Sequence, residues 1–242
     1  MNKSVCGMIL GEAGAGKSTS MRNLDPKTTI VFSSLGKGLP FKGSGKNYTV
    51  WDKNTNPNGN LIVTSSAKAI TAWLKHISEK MPHIVTVVID DSTFLSAKEL
   101  DRRRDENGYQ KFNDIAHDFL QITEVANTLR GGLFVYFLYH TVTTGDDLLE
   151  SKFTRALSHG KMVQEKLASV EAQFELVLLA TKTLDKENNI SYKFKTRDIS
   201  STTKSPMDMF ADEFIDNDLA LVNRAIQCYY DDDCTEDQKP VK

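Results

Sequence analysis

The chain has 242 residues, 40% hydrophobic and 26% charged, with a net charge of −2. That length folds as one large domain without staples, and the near-neutral charge excludes nucleic-acid binding by bulk attraction, so any such contact must come from a local basic patch. Cys6, Cys228 and Cys234 are too few and too scattered for a disulfide framework or a zinc site, which suggests a reducing cytoplasm.

No run of ~18 apolar residues offers a membrane span, so no membrane partner is expected. The apolar start is too short for a signal peptide. Val5 to Leu10 reads as a short buried strand and Ser18 to Leu24 as the opening of a helix. Between them, Gly11-Glu12-Ala13-Gly14-Ala15-Gly16-Lys17-Ser18 fits the G-x-x-x-x-G-K-[ST] loop that wraps nucleotide phosphates. The chemistry needs these residue types. Glycines let the backbone turn tightly and aim N–H groups at phosphate oxygens. Lys17 reaches the β- and γ-phosphates, the Ser18 hydroxyl sits on Mg²⁺, and the helix beyond points its positive end at the anion. ATP and Mg²⁺ are the expected cofactors. The binding segment is Gly11, Glu12, Ala13, Gly14, Ala15, Gly16, Lys17, Ser18 and Thr19, with Glu12 pointing out to solvent.

Thr28 to Ser33 reads as a second strand and Tyr48 to Trp51 as a short third one. Asn54 to Asn60 is turn chemistry. Ser66 to Lys80 is a helix with Ile70, Trp73, Leu74 and Ile77 on one face and Pro82 past its end. Ile84 to Ile89 is a central parallel strand, apolar on both faces, and another helix begins near Thr93. Tyr109 to Arg130 is the clearest helix, with Phe112, Ile115, Phe119, Ile122, Ala126 and Leu129 at steps of three and four and Gly131-Gly132 as its stop. Leu133 to Tyr139 is the next strand. Phe174 to Thr183 and Ile190 to Thr196 form a hairpin. Asn217 caps a last helix that runs to about Tyr229, and an acidic, disordered tail occupies residues 230–242. Strands alternating with helices, then a terminal hairpin, predict one α/β domain over residues 1–229. Its sheet is mostly parallel and twisted, flanked by helices, with a C-terminal antiparallel hairpin.

Asp90 closes the strand at Ile89 and fits the Walker B pattern, a carboxylate holding the Mg²⁺ that bridges the β- and γ-phosphates. Strand ends are where open α/β sheets bind ligands. Asp91 has two readings: it orients or deprotonates the attacking water, or it caps the helix near Thr93. His140, delivered at the end of the following strand, touches the γ-phosphate or is a solvated strand end. Lys193, Lys195 and Arg197 alternate along the last strand. They form either a solvated edge or a cationic finger that reaches the γ-phosphate of a neighbouring subunit.

Two basic clusters lie near aromatics, as in grooves that hold single strands. One is Arg102-Arg103-Arg104 with Lys111, beside Tyr109 and Phe112. The other is the long connection from Thr141 to Val170, with Lys152, Phe153, Arg155, Lys161 and Lys166. Asp101, Asp105 and Glu106 in the first, and Asp146, Asp147 and Glu150 in the second, give each a plainer reading as a salt-bridged surface.

As an ordered set these residues resemble the phage-encoded P-loop ATPases with a RecA core, the Sak-type single-strand-annealing and recombination group. The resemblance is carried by Gly11 to Thr19, Lys37-Gly38-Leu39-Pro40-Phe41-Lys42, Val87-Val88-Ile89-Asp90-Asp91 and the strand ending in His140. It continues through Gly160-Lys161, Lys195-Thr196-Arg197, Lys204-Ser205-Pro206-Met207 and Asn217-Asp218-Leu219. It implies a RecA-like P-loop NTPase fold, ATP hydrolysis and binding of single-stranded DNA. It also implies a homo-oligomeric ring or filament with ATP at subunit interfaces, a single-stranded-DNA-binding protein as a further partner, and the cytoplasm of a phage host as the location. Lys195 and Arg197 match a Lys-x-Arg pair that acts in trans, and the segment from Thr141 to Val170 would contain one DNA-lining loop. RecA proteins carry a catalytic Glu after the second core strand. No Glu occurs between Ser20 and Lys75 here, so that role passes to Asp91. Two other readings stand beside this one: a nucleotide or small-molecule kinase using Arg102 to Arg104, and an ATP-switched assembly or loader protein.

Overall fold

A computed structural model describes residues 1–145, 152–157, 170–184 and 187–230. Its strands are β1 (Val5–Gly11), β2 (Thr29–Ser33), β3 (Leu61–Val63), β4 (Thr86–Asp90), β5 (Phe134–Thr144), β6 (Phe153–Ala156), β7 (Leu176–Leu184), β8 (Ile190–Lys195) and β9 (Phe214–Asp216). Across the sheet the order is β3-β2-β4-β5-β1-β7-β8-β9, with β6 paired to β5 off this path. Neighbours from β3 to β7 are parallel, and β8 and β9 add antiparallel. A sheet parallel at its centre, flanked by helices and finished by antiparallel strands, is the α/β arrangement expected from the sequence.

Both faces of the sheet are covered, which is why its central strands are nearly all apolar. Alternate residues of β1 divide between two cores. Cys6, Met8 and Leu10 join Phe32, Ile89 and Phe137 under α2 (Ala67–Lys80) and α4 (Gln110–Ala126). Val5 and Ile9 join Val31, Val88 and Leu138 under α5 (Leu219–Tyr230). Helix α2 follows its sequence pattern. Ser66 accepts from the Ala69 N–H at 3.3 Å, and Ile70, Leu74 and Ile77 are buried.

Several local expectations are corrected. No strand forms at Tyr48–Trp51; Val50 makes a single bridge to Leu61, and the third strand is Leu61–Val63. Backbone bonds tie Thr49 and Trp51 to Asn60 and Leu61, and side chains add to them: Asn60 Oδ1 accepts from the Thr49 N–H, and Asn60 Nδ2 donates to the carbonyls of Pro26 and Asn47. A one-turn helix, α1 (Ser44–Asn47), precedes it. Helix α4 ends at Ala126, short of Arg130, because Ser4 donates to the Ala126 and Leu129 carbonyls and the Asn127 amide donates to the Thr123 carbonyl. The segment after the phosphate loop is a 3₁₀ turn over Ser18–Asn23 rather than an α-helix, with Pro26 close behind to stop it. Strand β5 does not stop at Tyr139 but continues to Thr144 as an arm paired with β6, so His140 lies within the strand. Asp218, not Asn217, caps α5: its Oδ1 accepts from the Ala220 N–H at 2.9 Å.

No helix among the described residues is long and apolar enough to cross a membrane. Asp146, Asp147, Glu150, Gly160, Lys161 and Lys166, and residues 231–242 of the expected tail, lie outside the described residues.

Candidate nucleotide site

The phosphate loop leaves the C-terminal end of β1. Gly14 (φ 72) and Gly16 (φ 93) hold the backbone in the left-handed region that favours glycine. A Cβ at Gly16 would also meet the Tyr192 ring at 2.9 Å. Glu12 is exposed, as expected. Lys17 is buried, and its Nζ donates to the carbonyls of Gly11 at 2.8 Å and Glu12 at 3.0 Å. The ammonium is thus folded back across its own loop. Burial lowers its pKa to about 8, against the opposing pull of Asp91, Asp90 and Glu12.

Strand β4 brings Asp90 to this loop. Ser18 Oγ donates to Asp90 Oδ1 at 2.9 Å, and the Asp91 backbone N–H donates to the same oxygen at 3.0 Å. Asp90 is 7% exposed. Burial, with the neighbouring Asp91 charge, pushes its carboxyl up to about 6 despite Ser18, the Asp91 N–H and Lys17. A carboxylate so placed is short of positive charge. Its partner hydroxyl is a hard oxygen donor of the same kind, and Mg²⁺ takes such ligands together with substrate phosphates. Ser18 and Asp90 therefore fit a magnesium site.

Asp91 does not cap α3 (Thr93–Arg102); the N-cap position is Ser92, and no side chain makes a capping bond there. Asp91 sits at φ 56, uncommon for a residue with a side chain and the kind of strain that gathers at functional sites. Its Oδ1 lies 3.4 Å from His140 Nε2. Burial opposes the Asp91 charge, but the His140 contact and the charges of Lys37 and Lys17 outweigh it and hold the carboxyl below its usual range. His140 is fixed in turn. Sheet register sets it beside Gly11, its N–H donates to Thr93 Oγ1 at 2.8 Å, and its ring meets Phe94 edge-on at 5.6 Å. Lys17, Ser18, Asp90, Asp91 and His140 thus converge on one edge of the sheet. Ser34, just past the end of β2, donates its hydroxyl to the Asp90 carbonyl at 3.1 Å, in the stretch of the sequence that lacks a Glu.

Lys195 and Arg197 do not join this group. Lys195 pairs in register with Leu179, which pairs with Leu10, so it stands two strands away from β1. Its Nζ lies 3.2 Å from Asp198 and 3.3 Å from Glu213. Arg197 lies past the end of β8 and donates to the carbonyls of Phe210 and Ala211 at 3.4 and 3.1 Å. Lys193 pairs with Asp216 at 2.6 Å. The arginine cluster is also paired: Arg103 with Glu106 at 2.7 Å and Asp114 at 2.8 Å, and Arg102 with Glu99. Lys111 Nζ donates to the carbonyls of Arg103 and Glu106 at 3.1 and 2.8 Å. That is the plainer, salt-bridged surface.

Two residues outside the phosphate-loop and Asp90 motifs stand against the loop. The β7–β8 hairpin rises past the end of β1, because Leu179 pairs with Leu10 and β7 continues to Leu184. On it, exposed Lys182 places its Nζ 3.2 Å from where a Cβ at Gly14 would lie. No acidic partner for Lys182 occurs among the described residues. Asn217 is buried with its Nδ2 3.2 Å from the corresponding Cβ position of Gly16, and neither amide atom has a hydrogen-bond partner among the described residues. Its backbone carbonyl accepts from Arg22, and Asp218 Oδ2 accepts from the Asn23 amide at 2.6 Å, tying the start of α5 to the 3₁₀ turn.

No family model and no curated protein matches the chain. Among solved structures, a KaiC-like protein from the hyperthermophilic archaeon Pyrococcus horikoshii OT3 matches with 12% identity over 78% of this chain and 76% of that chain, at a TM-score of 0.42. A likeness at that identity and TM-score assigns no activity to this chain.

Proposed function

We propose that the chain binds and hydrolyses ATP with Mg²⁺ and acts on single-stranded DNA in phage-type recombination or strand annealing. The observation that carries the ATP reading is the Ser18–Asp90 hydrogen bond of 2.9 Å beside buried Lys17, just after two glycines held at positive φ. A triphosphate draws Lys17 off the Gly11 and Glu12 carbonyls and lies against the loop N–H groups. Ser18 and Asp90 would hold Mg²⁺, which when bound would supply positive charge against the phosphates. Asp91, kept ionised by His140, orients or deprotonates the attacking water. Lys182 adds a second ammonium on the loop's open side. His140 links the site to the β5–β6 arm. Lys195 and Arg197 act on a neighbour's phosphate once they exchange their contacts within the chain.

The DNA reading rests on the family resemblance and on the arm itself, where Phe153 is exposed beside Arg155. The paired state of Arg102 and Arg103 gives no support to a kinase lid. The serine at position 34 favours one second reading, an ATP-switched assembly or loader protein with tight binding and slow turnover. The test is Mg²⁺-dependent ATP hydrolysis at low salt, with and without single-stranded DNA, in wild type and Lys17→Ala. Hydrolysis stimulated by DNA and abolished in the variant is expected. Equal hydrolysis by Lys17→Ala refutes the site, absence of stimulation by any nucleic acid refutes the DNA role, and tight binding without turnover selects the switch.

A further inference from the structure

The opposite edge of the sheet holds a cleft of about 680 Å³, within the size range of small-ligand sites. Thr29, Ile30 and Ile84 form its floor, at the N-terminal ends of β2 and β4, whereas the phosphate loop follows the C-terminal end of β1 in the same parallel set. The chain's two tryptophans, Trp51 and Trp73, both line this cleft. Their rings meet edge to face at 5.1 Å, and His76 stands edge-on to Trp73 at 5.8 Å. Large aromatic rings lining a cleft are apolar surfaces suited to a flat, aromatic partner. Exposed Lys27, Lys53, His76 and His83 also line the cleft, and none of the described lining residues is acidic.

The walls are held rather than loose. Asn60 crosslinks the loop to Pro26 and Asn47, Asp52 Oδ1 accepts from the N–H groups of Asn54 and Thr55, and Asn56 Nδ2 donates to the Val50 carbonyl at 2.7 Å. Gly59 passes so close beneath Trp51 that a Cβ there would lie 2.6 Å from the Trp51 backbone. In the floor, Thr29 is 1% exposed and its side chain faces the buried Tyr48 hydroxyl.

We propose that this cleft is a second nucleotide site, separate from the phosphate loop, with the base stacked on the Trp51–Trp73 pair and the phosphate on Lys27 and Lys53. A flat ring satisfies the aromatic faces, an anion satisfies the cations, and the Asn58 and Asn60 amides suit base edges. The same chemistry arrives as a free nucleotide or as one unit of a single strand. With both tryptophans in the cleft, intrinsic fluorescence reports on it alone.

The test uses Lys17→Ala protein, titrated at low salt with AMP and, separately, with oligothymidylate. Saturable quenching is expected, weakened roughly 5- to 150-fold by Trp51→Leu and at least several-fold by the exposed pair Lys27→Gln/Lys53→Gln. Saturation by the oligonucleotide at a lower nucleotide concentration than AMP assigns a strand; saturation at equal or higher concentration assigns the free nucleotide. No saturable quenching by either probe at millimolar concentration, or unchanged affinity in the double lysine variant, overturns the proposal whatever the fate of the ATP reading.

Discussion

Asp90→Asn should stabilise the protein without nucleotide while removing its response to magnesium. The Asp90 carboxyl is 7% exposed, and burial with the Asp91 charge raises it from 3.8 to about 6. A carboxyl with a folded-state pKa above its unfolded value favours folding only while protonated. Stability therefore falls as pH rises from about 4 through about 6 and stays lost above. Linkage puts the cost of the ionised group at about 3 kcal/mol near pH 7.5 and about 1 kcal/mol near pH 4.5. Asparagine keeps an oxygen to accept the Ser18 hydroxyl and carries no charge. The variant should gain up to about 3 kcal/mol near pH 7.5, less whatever Lys17 loses with its partner, or roughly 6–12 °C in Tm for a chain of this size. Urea unfolding at the two pH values measures the gain and its shrinkage in acid, and thermal shift with Mg·ATP measures the lost response. A variant less stable than wild type near pH 7.5, or one with the full Mg·ATP shift, would refute the reasoning.

Lys182→Met should weaken Mg·ATP binding about tenfold by calorimetry, the scale of one charge-assisted contact, with the urea midpoint unchanged and Lys182→Arg restoring affinity; equal affinity in Lys182→Met would remove this residue from the site. Gly16→Ala puts a side chain at φ 93 against Tyr192 and should cost about 1–3 kcal/mol in urea unfolding, together with nucleotide binding. Asp218→Ala loses the α5 cap and the Asn23 contact, and its urea midpoint should report a loss of about 1–2 kcal/mol.

The parts of this fold legible in the sequence are those whose cause is local. Val87, Val88 and Ile89 are apolar because both faces of β4 are covered, and the phosphate loop is a contiguous set whose glycines serve its own backbone. The β5 arm was equally local, since Thr141, Val142, Thr143 and Thr144 are all β-branched, but the eye stops at the apolar Tyr139. Tyr48–Trp51 looked like a strand by composition, yet backbone bonds join Thr49 and Trp51 to Asn60 and Leu61 through a single bridge, while the side chains of Asn60 and Asn56 take the Thr49 N–H and the Val50 carbonyl, and the strand forms at Leu61–Val63. Ser18 to Asn23 stands where the phosphate-loop motif calls for a helix, but Ser-Thr-Ser is weak helix material and Pro26 leaves no room for more turns.

At the site, Asp91 could not be told from a helix cap by spacing, because its backbone at φ 56 and its His140 partner are properties of the folded sheet. Lys182 carried no motif, and Asn217 stood out only as a helix cap and in the Asn217-Asp218-Leu219 run; only the register of β7 against β1 and the docking of α5 bring them to Gly14 and Gly16. The alternation of Lys193 and Lys195 was readable, but not the carboxylates of Asp216, Asp198 and Glu213 that occupy them.

The most direct test of the nucleotide site is calorimetric titration of Mg·ATP into folded wild-type protein and into Lys17→Ala. One saturating uptake per chain, lost in the variant, is predicted. No uptake by wild type at millimolar nucleotide, or the same uptake by both proteins, would contradict it.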